Sequence, residues 1–381
     1  MYALLIFLIS VCSTTAINAE SVSKFQKLSL DNLSYGGWVG YIYTPAEYII
    51  DEPYISAGLY AVYKIHTKAK VAGLVYYDPS YEAPRLGYAF GQYTDTIAGL
   101  DLSFKAGLLR SEWGFWSAYT ANPSTSPLVM KSNALYTVRY ESDINQHMGT
   151  DVTWVTHKNK IKINAFIGSY NTINESKLGV KTYIQDVPVN TEFGSLWKAT
   201  IEYKPYIGNT FKLGYAQSLL SKEIDNNIER IYAGYKYEKY NVTLSFEYQR
   251  LYADGNINAI NFHEVAEFDD KFIYIAYDFS KIRLYSSLSH TKKNQAFADY
   301  VNYALQAKGA PFVPFADDSA NHYSSTIAVG VEYSIFYDLS LRLEGQYTKS
   351  KGIERILNNP TDVSFRNEEI FFMGASITKT F

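Results

Sequence analysis

The feature that most constrains this chain is a two-residue alternation of apolar and polar side chains that recurs along most of its length. No stretch beyond the N-terminus approaches the roughly eighteen consecutive apolar residues that a membrane-crossing helix needs. The end of the chain shows the alternation well. Side chains alternate across a strand, so Phe371, Met373, Ala375, Ile377 and Phe381 share one face, and Gly374, Ser376, Thr378 and Thr380 share the other. Just upstream, Leu339, Leu341, Leu343 and Tyr347 point one way, and Ser340, Arg342, Glu344, Gln346 and Thr348 the other. The same period appears at 33–44, 55–66, 68–77, 85–94, 99–109, 149–157, 160–170, 196–205, 210–218, 230–237, 241–252, 271–279, 282–290 and 324–336. Together with 339–349 and 369–381 these make sixteen expected strands. In segment 271–279 both faces carry large apolar residues, so the pattern alone does not orient it.

The connections are of two kinds. Short turns are expected at 66–68, 158–159, 206–209, 238–240, 280–281 and 337–338, and long connections at 78–84, 110–148, 171–195, 219–229, 253–270, 291–323 and 350–368. They alternate if residues 134–142 belong to the long excursion 110–148 and do not form a strand of their own. Short turns on one side and long loops on the other are the habit of an up-and-down membrane barrel, which must close because lipid offers no partner to an open sheet edge. The aromatic load fits: 36 Tyr and 21 Phe, with Tyr35, Tyr41, Tyr43, Tyr63, Tyr77, Tyr203, Tyr237, Tyr248, Tyr252, Tyr333 and Tyr347 on apolar faces near strand ends. Tyrosines there form girdles at the two lipid interfaces, whereas a secreted β-sandwich or solenoid has no use for them. The expectation is therefore an all-β, transmembrane antiparallel barrel of sixteen strands, its last strand pairing with the strand through Val39 and both termini on the short-turn, periplasmic side.

Residues 1–19 carry no charged side chain and contain Leu4-Leu5-Ile6-Phe7-Leu8-Ile9, followed by small polar residues and Ile17-Asn18-Ala19. This reads as a secretory signal peptide, leaving 20–381 as a single barrel domain. Cys12 is the only cysteine, so residues 20–381 offer no disulfide framework or thiolate chemistry. A net charge of -3 provides no basic footprint for nucleic acid.

With its export signal, strand count, turn alternation and terminal Phe381, the chain resembles the Gram-negative outer-membrane porins of the sixteen-stranded general diffusion type over its whole length. The resemblance implies a cell outer membrane location, contact with outer-membrane lipid and lipopolysaccharide, a homotrimer, and recognition of the C-terminal strand, with Phe381 as assembly signal, by the barrel-assembly machinery. Lys379 departs from the family, which carries a tyrosine or another hydrophobic residue there. The resemblance also implies that one long loop folds into the lumen as a constriction. The matching segment is Gly107-Leu108-Leu109-Arg110-Ser111-Glu112-Trp113-Gly114-Phe115-Trp116, continuing through Asn122-Pro123 and Pro127-Leu128 to Lys131. Residues 110–133 are thus the candidate constriction loop, with Arg110, Glu112, Trp113, Phe115, Trp116 and Lys131 its notable side chains. A connection of this length rich in Trp, Phe and Pro needs a surface to pack on, and the alternative to the inner wall is a lid or latch outside the barrel.

Porin chemistry is electrostatic filtering, so the charged residues on polar faces are the candidates. Basic positions are Lys64, Arg85, Lys105, Lys162, Lys198, Lys212, Arg230, Lys236, Arg283 and Arg342; acidic ones are Asp101, Asp151, Glu202, Glu247, Glu332 and Glu344. The pore lining expected to matter comprises Arg85, Asp101, Lys105, Lys198, Glu202, Arg283, Arg342 and Glu344, with Arg85 and Lys105 sharing one sector. The lumen leans basic, and a narrow basic pore favours anions. The outer loops lean acidic through Asp78, Glu82, Asp254, Glu264, Glu267, Asp269, Asp270, Asp317, Asp318 and Asp362. The acidic runs offer oxygen ligands to a divalent ion, though a solvated loop surface is the simpler reading. The six histidines lack ligand spacing and no catalytic set stands out, so no enzyme activity, metal or cofactor is expected. The expected function is a water-filled channel for passive diffusion of ions and small hydrophilic solutes with weak anion preference. The alternatives are a substrate-specific channel, marked by an ordered basic or aromatic ladder, and a plugged barrel acting as enzyme or receptor.

Overall fold

The computed structural model describes residues 30–43, 54–77, 84–110, 113–115, 128, 146–156, 160–169, 195–219, 226–257, 260–261, 266–293, 322–336, 338–356 and 363–381. The expected signal segment 1–19, the stretch 134–142, and Glu112, Trp116, Lys131, Asp317 and Asp318 lie outside the described residues. After a short 3-10 turn, Leu30–Asn32, the strands are β1 Leu33–Tyr43, β2 Tyr54–His66, β3 Ala69–Tyr77, β4 Arg85–Ile97, β5 Leu100–Arg110, β6 Gln146–Thr156, β7 Ile161–Ser169 and β8 Ser195–Tyr203. They continue as β9 Asn209–Leu219, β10 Asn226–Lys239, β11 Val242–Ile257, β12 Ile260–Asn261, β13 Ala266–Phe279, β14 Ile282–Lys293, β15 His322–Phe336, β16 Leu339–Ile356 and β17 Val363–Thr380. β12 makes only a two-residue ladder with the end of β11. The other sixteen pair antiparallel with their sequence neighbours, and β1 pairs with β17 to close the barrel.

Closure is in register from Trp38 opposite Thr380 to Tyr43 opposite Ala375. At the seam the Gly37 amide donates to the Phe381 carbonyl (2.8 Å) and the Phe381 amide to the Gly37 carbonyl (3.1 Å). Both ends of the sheet therefore sit at the rim that carries the short turns. All sixteen expected strands form, including the pairing of the last with the strand through Val39.

The alternation resolves into an inside and an outside. Leu341, Leu343, Tyr347, Phe371, Met373 and Ile377 are exposed, while Arg342, Glu344, Gln346, Thr348, Ser376 and Thr378 are buried on the inward face. Tyr35, Tyr41, Tyr43, Tyr77, Tyr203, Tyr333 and Tyr347 are exposed on the outward face, as the girdle reading requires. Several inward rings lie flat on the wall because the neighbouring strand offers a glycine. A Cβ at Gly58 would fall 2.0 Å from the Trp38 ring, one at Gly36 2.4 Å from the Tyr60 hydroxyl, and one at Gly330 2.2 Å from the Tyr285 ring. Ring and glycine together fill one layer of wall, which keeps bulky groups out of the axis.

Where the alternation ends, the strands do not: β11 runs to Ile257, β13 starts at Ala266, and β16 and β17 continue as a hairpin out to Ile356 and Val363. Asp254, Glu267, Asp269 and Asp270, expected in an outer loop, are thus strand residues. Asp269 and Asp270 point to opposite faces, so they cannot share a cation: Asp270 is buried inward and accepts from Thr291 Oγ1 (2.6 Å), and Asp269 meets Arg250 Nε (3.1 Å) outside.

The unusual Lys379 has a partner: its ammonium donates to Asp338 in the β15–β16 turn. That contact holds the Asp338 carboxyl below the usual carboxylate range. A depressed folded-state pKa contributes stability that is present above about pH 4 and is lost as pH falls through the folded value. Asp338→Asn should therefore lower the temperature at which the folded barrel shifts to its unfolded gel mobility at pH 7. The difference from the native chain should shrink at about pH 2 and in high salt, as for any exposed pair.

Candidate functional site

Between the end of β5 and the start of β6 the described residues are Trp113, Gly114, Phe115 and Leu128. They lie against inward side chains of distant strands. The Trp113 indole donates to Gln249 Oε1 (2.6 Å), and its ring centre lies 5.9 Å from that of Tyr232. The Phe115 amide donates to Glu247 Oε2 (3.0 Å), which also accepts from the Tyr232 hydroxyl (2.7 Å). Lys212 Nζ donates to the Gly114 carbonyl (3.4 Å). Glycines again supply the room, since a Cβ at Gly234 would sit 2.8 Å from the Phe115 ring and one at Gly214 3.3 Å from Trp113.

Leu128 has a second seat, packed with Phe272, Tyr274, Ala276, Tyr285 and Ala328. This answers the ambiguity of 271–279. Phe272, Tyr274 and Ala276 face inward and are apolar because Leu128 covers them, whereas Ile273, Ile275 and Tyr277 are exposed outside. The sequence held that signal, an apolar inner face on one strand, but not the residue that meets it.

The charged lining divides into two walls. On β4–β10, strand register aligns Gln92, Lys105, Asp151, Phe166, Lys198, Ala216 and Arg230 in one row. Three ammonium groups rest over inward rings: Lys105 over Phe90 (5.6 Å), Lys198 over Phe166 (5.8 Å) and Lys212 over Tyr232 (6.0 Å). Such contacts hold a cation against a wall without neutralising it. Glu202 sits between Lys212 (3.5 Å) and Lys162 (3.9 Å). Asp101, nearer the short-turn rim, accepts from Thr96 Oγ1 (2.8 Å).

On β13–β16 the charges are tied to one another. Arg283 takes Asp278 in two contacts (2.5 and 3.1 Å) and approaches Glu332 (4.0 Å), which also meets Arg342 (3.0 Å). Glu344 accepts from the Tyr285 hydroxyl and from Gln346 Nε2, both at 2.9 Å. Asp270 and Asp278 are inward acids absent from the expected set, and they bring the described lining closer to charge balance.

Arg85 and Lys105 do not share a level. Lys105 is opposite Gln92, and Arg85, opposite Tyr76, lies seven residues further along β4, about 23 Å at strand rise. A register shift between Leu74 and Val75 in the β3–β4 pair separates the two ends of β4 further from a simple ladder. The Arg110 backbone pairs with Gln146 at the foot of the excursion.

A closed barrel of sixteen antiparallel strands, apolar outside and polar inside, with residues of its longest connection held against the inner wall, has the architecture of the outer-membrane porins. The solved structures it resembles share that fold. OmpF of Salmonella typhi in complex with daunomycin superposes with a TM-score of 0.57 at 13% identity, covering 93% of this chain and 100% of that one. The anion-selective porin of Comamonas acidovorans gives 0.56 at 9% identity, covering 92% and 99%. The outer membrane channel DcaP of Acinetobacter baumannii gives 0.54 at 10% identity, covering 93% and 99%. No protein-family model and no curated protein sequence matches the chain.

Trp113 carries most of the first seat. Trp113→Ala removes its ring and leaves Gln249 without the indole donor, so unfolding in denaturant, followed by far-ultraviolet circular dichroism, should show a loss of about 3 kcal/mol.

Proposed function

We propose that this chain forms a water-filled channel in the outer membrane of a Gram-negative bacterium, through which ions and small hydrophilic solutes diffuse passively. The observation that carries this reading is the pair of seats at Trp113–Phe115 and Leu128, which puts parts of the 110–133 connection inside a barrel otherwise lined by polar and charged side chains. Sixteen strands enclose a space wide enough for an aqueous passage, and a loop across it sets the narrowest section. Diffusion down a gradient asks nothing of the chain beyond that geometry. The same reading assigns Phe381 and the C-terminal strand to recognition by the barrel-assembly machinery, the outward belt to lipid and lipopolysaccharide, and the working form to a homotrimer.

Selectivity follows from the asymmetry of the walls. The acids of β13–β16 are engaged by Arg283, Arg342, Tyr285 and Gln346, while Lys64, Lys70 and Lys105 share one inward row of β2–β5 with no ion pair among the described residues. The outward field of the lumen is thus weakly positive on one side, and it favours anions.

In planar bilayers the purified protein should give ohmic current, with a zero-current potential of anionic sign at low salt. That preference should fade as the Debye length falls from about 30 Å at 0.01 M to about 10 Å at 0.1 M. Lys105→Glu with Lys198→Glu should move the potential toward cations. Deleting residues 112–130 should raise single-channel conductance, and an unchanged value in a folded barrel would place the narrowest section elsewhere.

A further inference from the structure

The wall of β2–β5 gathers three lysines on one inward row beside lumen-facing rings. Register aligns Lys64, Lys70, Gln92 and Lys105 in one row on the inward face. Lys64 and Lys70 are directly opposed, an arrangement that destabilises a strand pair because the two Cβ atoms are only about 5 Å apart. Among the described residues none of the three lysines has an ion pair. Asp151, beside Lys105 in register, turns its oxygens to Thr153 Oγ1 (3.1 Å) and Asn164 Nδ2 (2.5 Å), and its single negative charge still leaves the three lysines net positive. Gln92 likewise spends its amide nitrogen on Thr94 and Ser103. The row as folded is a cationic surface that a bound anion would relieve.

The adjoining rows are apolar. Next to the lysines come Val62, Ala72 and Phe90, and beyond them Tyr60, Leu74 and Tyr88. The Tyr88 and Phe90 rings are 5.4 Å apart, and Tyr60, lying over Gly36, remains 40% exposed. Adjacent rows on one face are two residues apart, about 7 Å along the strands. That is the distance from a carboxylate to the ring in an acid with a short stem.

Resting on the channel reading above, we propose that this wall is a binding site for small amphipathic carboxylates. The carboxylate lies on Lys64, Lys70 and Lys105, and the apolar body lies on Phe90 and the Tyr88 ring 5.4 Å beyond it. A wholly hydrophilic anion engages only the lysines, and a neutral aromatic only the rings, so neither gains both sets of contacts.

The test is single-channel current through the full-length protein in planar bilayers, with 3-phenylpropanoate, acetate, inorganic phosphate or benzyl alcohol added. The first should interrupt the current with a half-blocking concentration at least about tenfold below the other three. Lys64→Gln with Lys70→Gln, and separately Tyr88→Ser, should each raise that concentration about tenfold in barrels that keep the folded gel mobility. The outward Lys271→Gln should leave it unchanged. A conducting channel blocked equally by acetate or phosphate overturns the proposal in favour of a simple anion site, and equal block by benzyl alcohol removes the lysines from it. No block by any of the four overturns it outright, whereas no current in the first place overturns the channel reading and this inference with it.

Discussion

The structure depends on ring closure. Each of the sixteen barrel strands leaves backbone donors and acceptors on both edges, and only the pairing of β1 with β17 removes the last two edges. The short-turn rim is built around that seam. Phe381 exchanges hydrogen bonds with Gly37, and Lys379 reaches Asp338 in the neighbouring turn. A lysine in the penultimate outward position thus gains a partner that a hydrophobic residue would not use.

Once the ring is closed, the interior must be kept from collapsing or from filling at random. Two devices do this. Inward rings lie on glycines of the next strand, as Trp38 does on Gly58 and Tyr285 on Gly330, so the wall stays thin. Described residues of the longest connection are then held on the wall at separate seats, one built on hydrogen bonds from Trp113 and Phe115 to Gln249 and Glu247, the other on apolar contact between Leu128 and Phe272, Tyr274 and Tyr285. The polar seat gives direction, because two donors must meet two fixed acceptors. The apolar seat gives area, because it covers rings that would otherwise face water in the lumen.

Much of this was legible in the sequence, for a physical reason. A strand between two different environments writes a period of two, so the faces of Leu339 to Thr348 and of Phe371 to Thr378 could be assigned residue by residue. Beyond the apolar belt both faces meet water, the alternation stops, and the hydrogen-bonded ladder continues unannounced; that is why β13 begins at Ala266 and why Asp270, read as loop, is a buried wall residue. The lumen was less legible still. The offset between Arg85 and Lys105 depends on register and on an irregularity near Leu74, neither of which composition encodes. The row of Lys64, Lys70 and Lys105 emerges only once three strand pairs are aligned, and the seat of Leu128 only once the barrel brings β13–β15 beneath it.

The central claim is that, within the apolar belt, one face of each of the sixteen barrel strands meets lipid and the other meets water. It is tested most directly by placing single spin labels along β5 and β16 of a Cys12→Ser chain reconstituted in bilayers, and measuring relaxation by oxygen and by a water-soluble paramagnetic complex. Labels at Phe104, Leu341 and Leu343 should respond to oxygen, and labels at Ser103 and Lys105 to the water-soluble reagent, with the preference alternating at each step. A reversed phase, or equal access of the water-soluble reagent to both faces, would contradict the account.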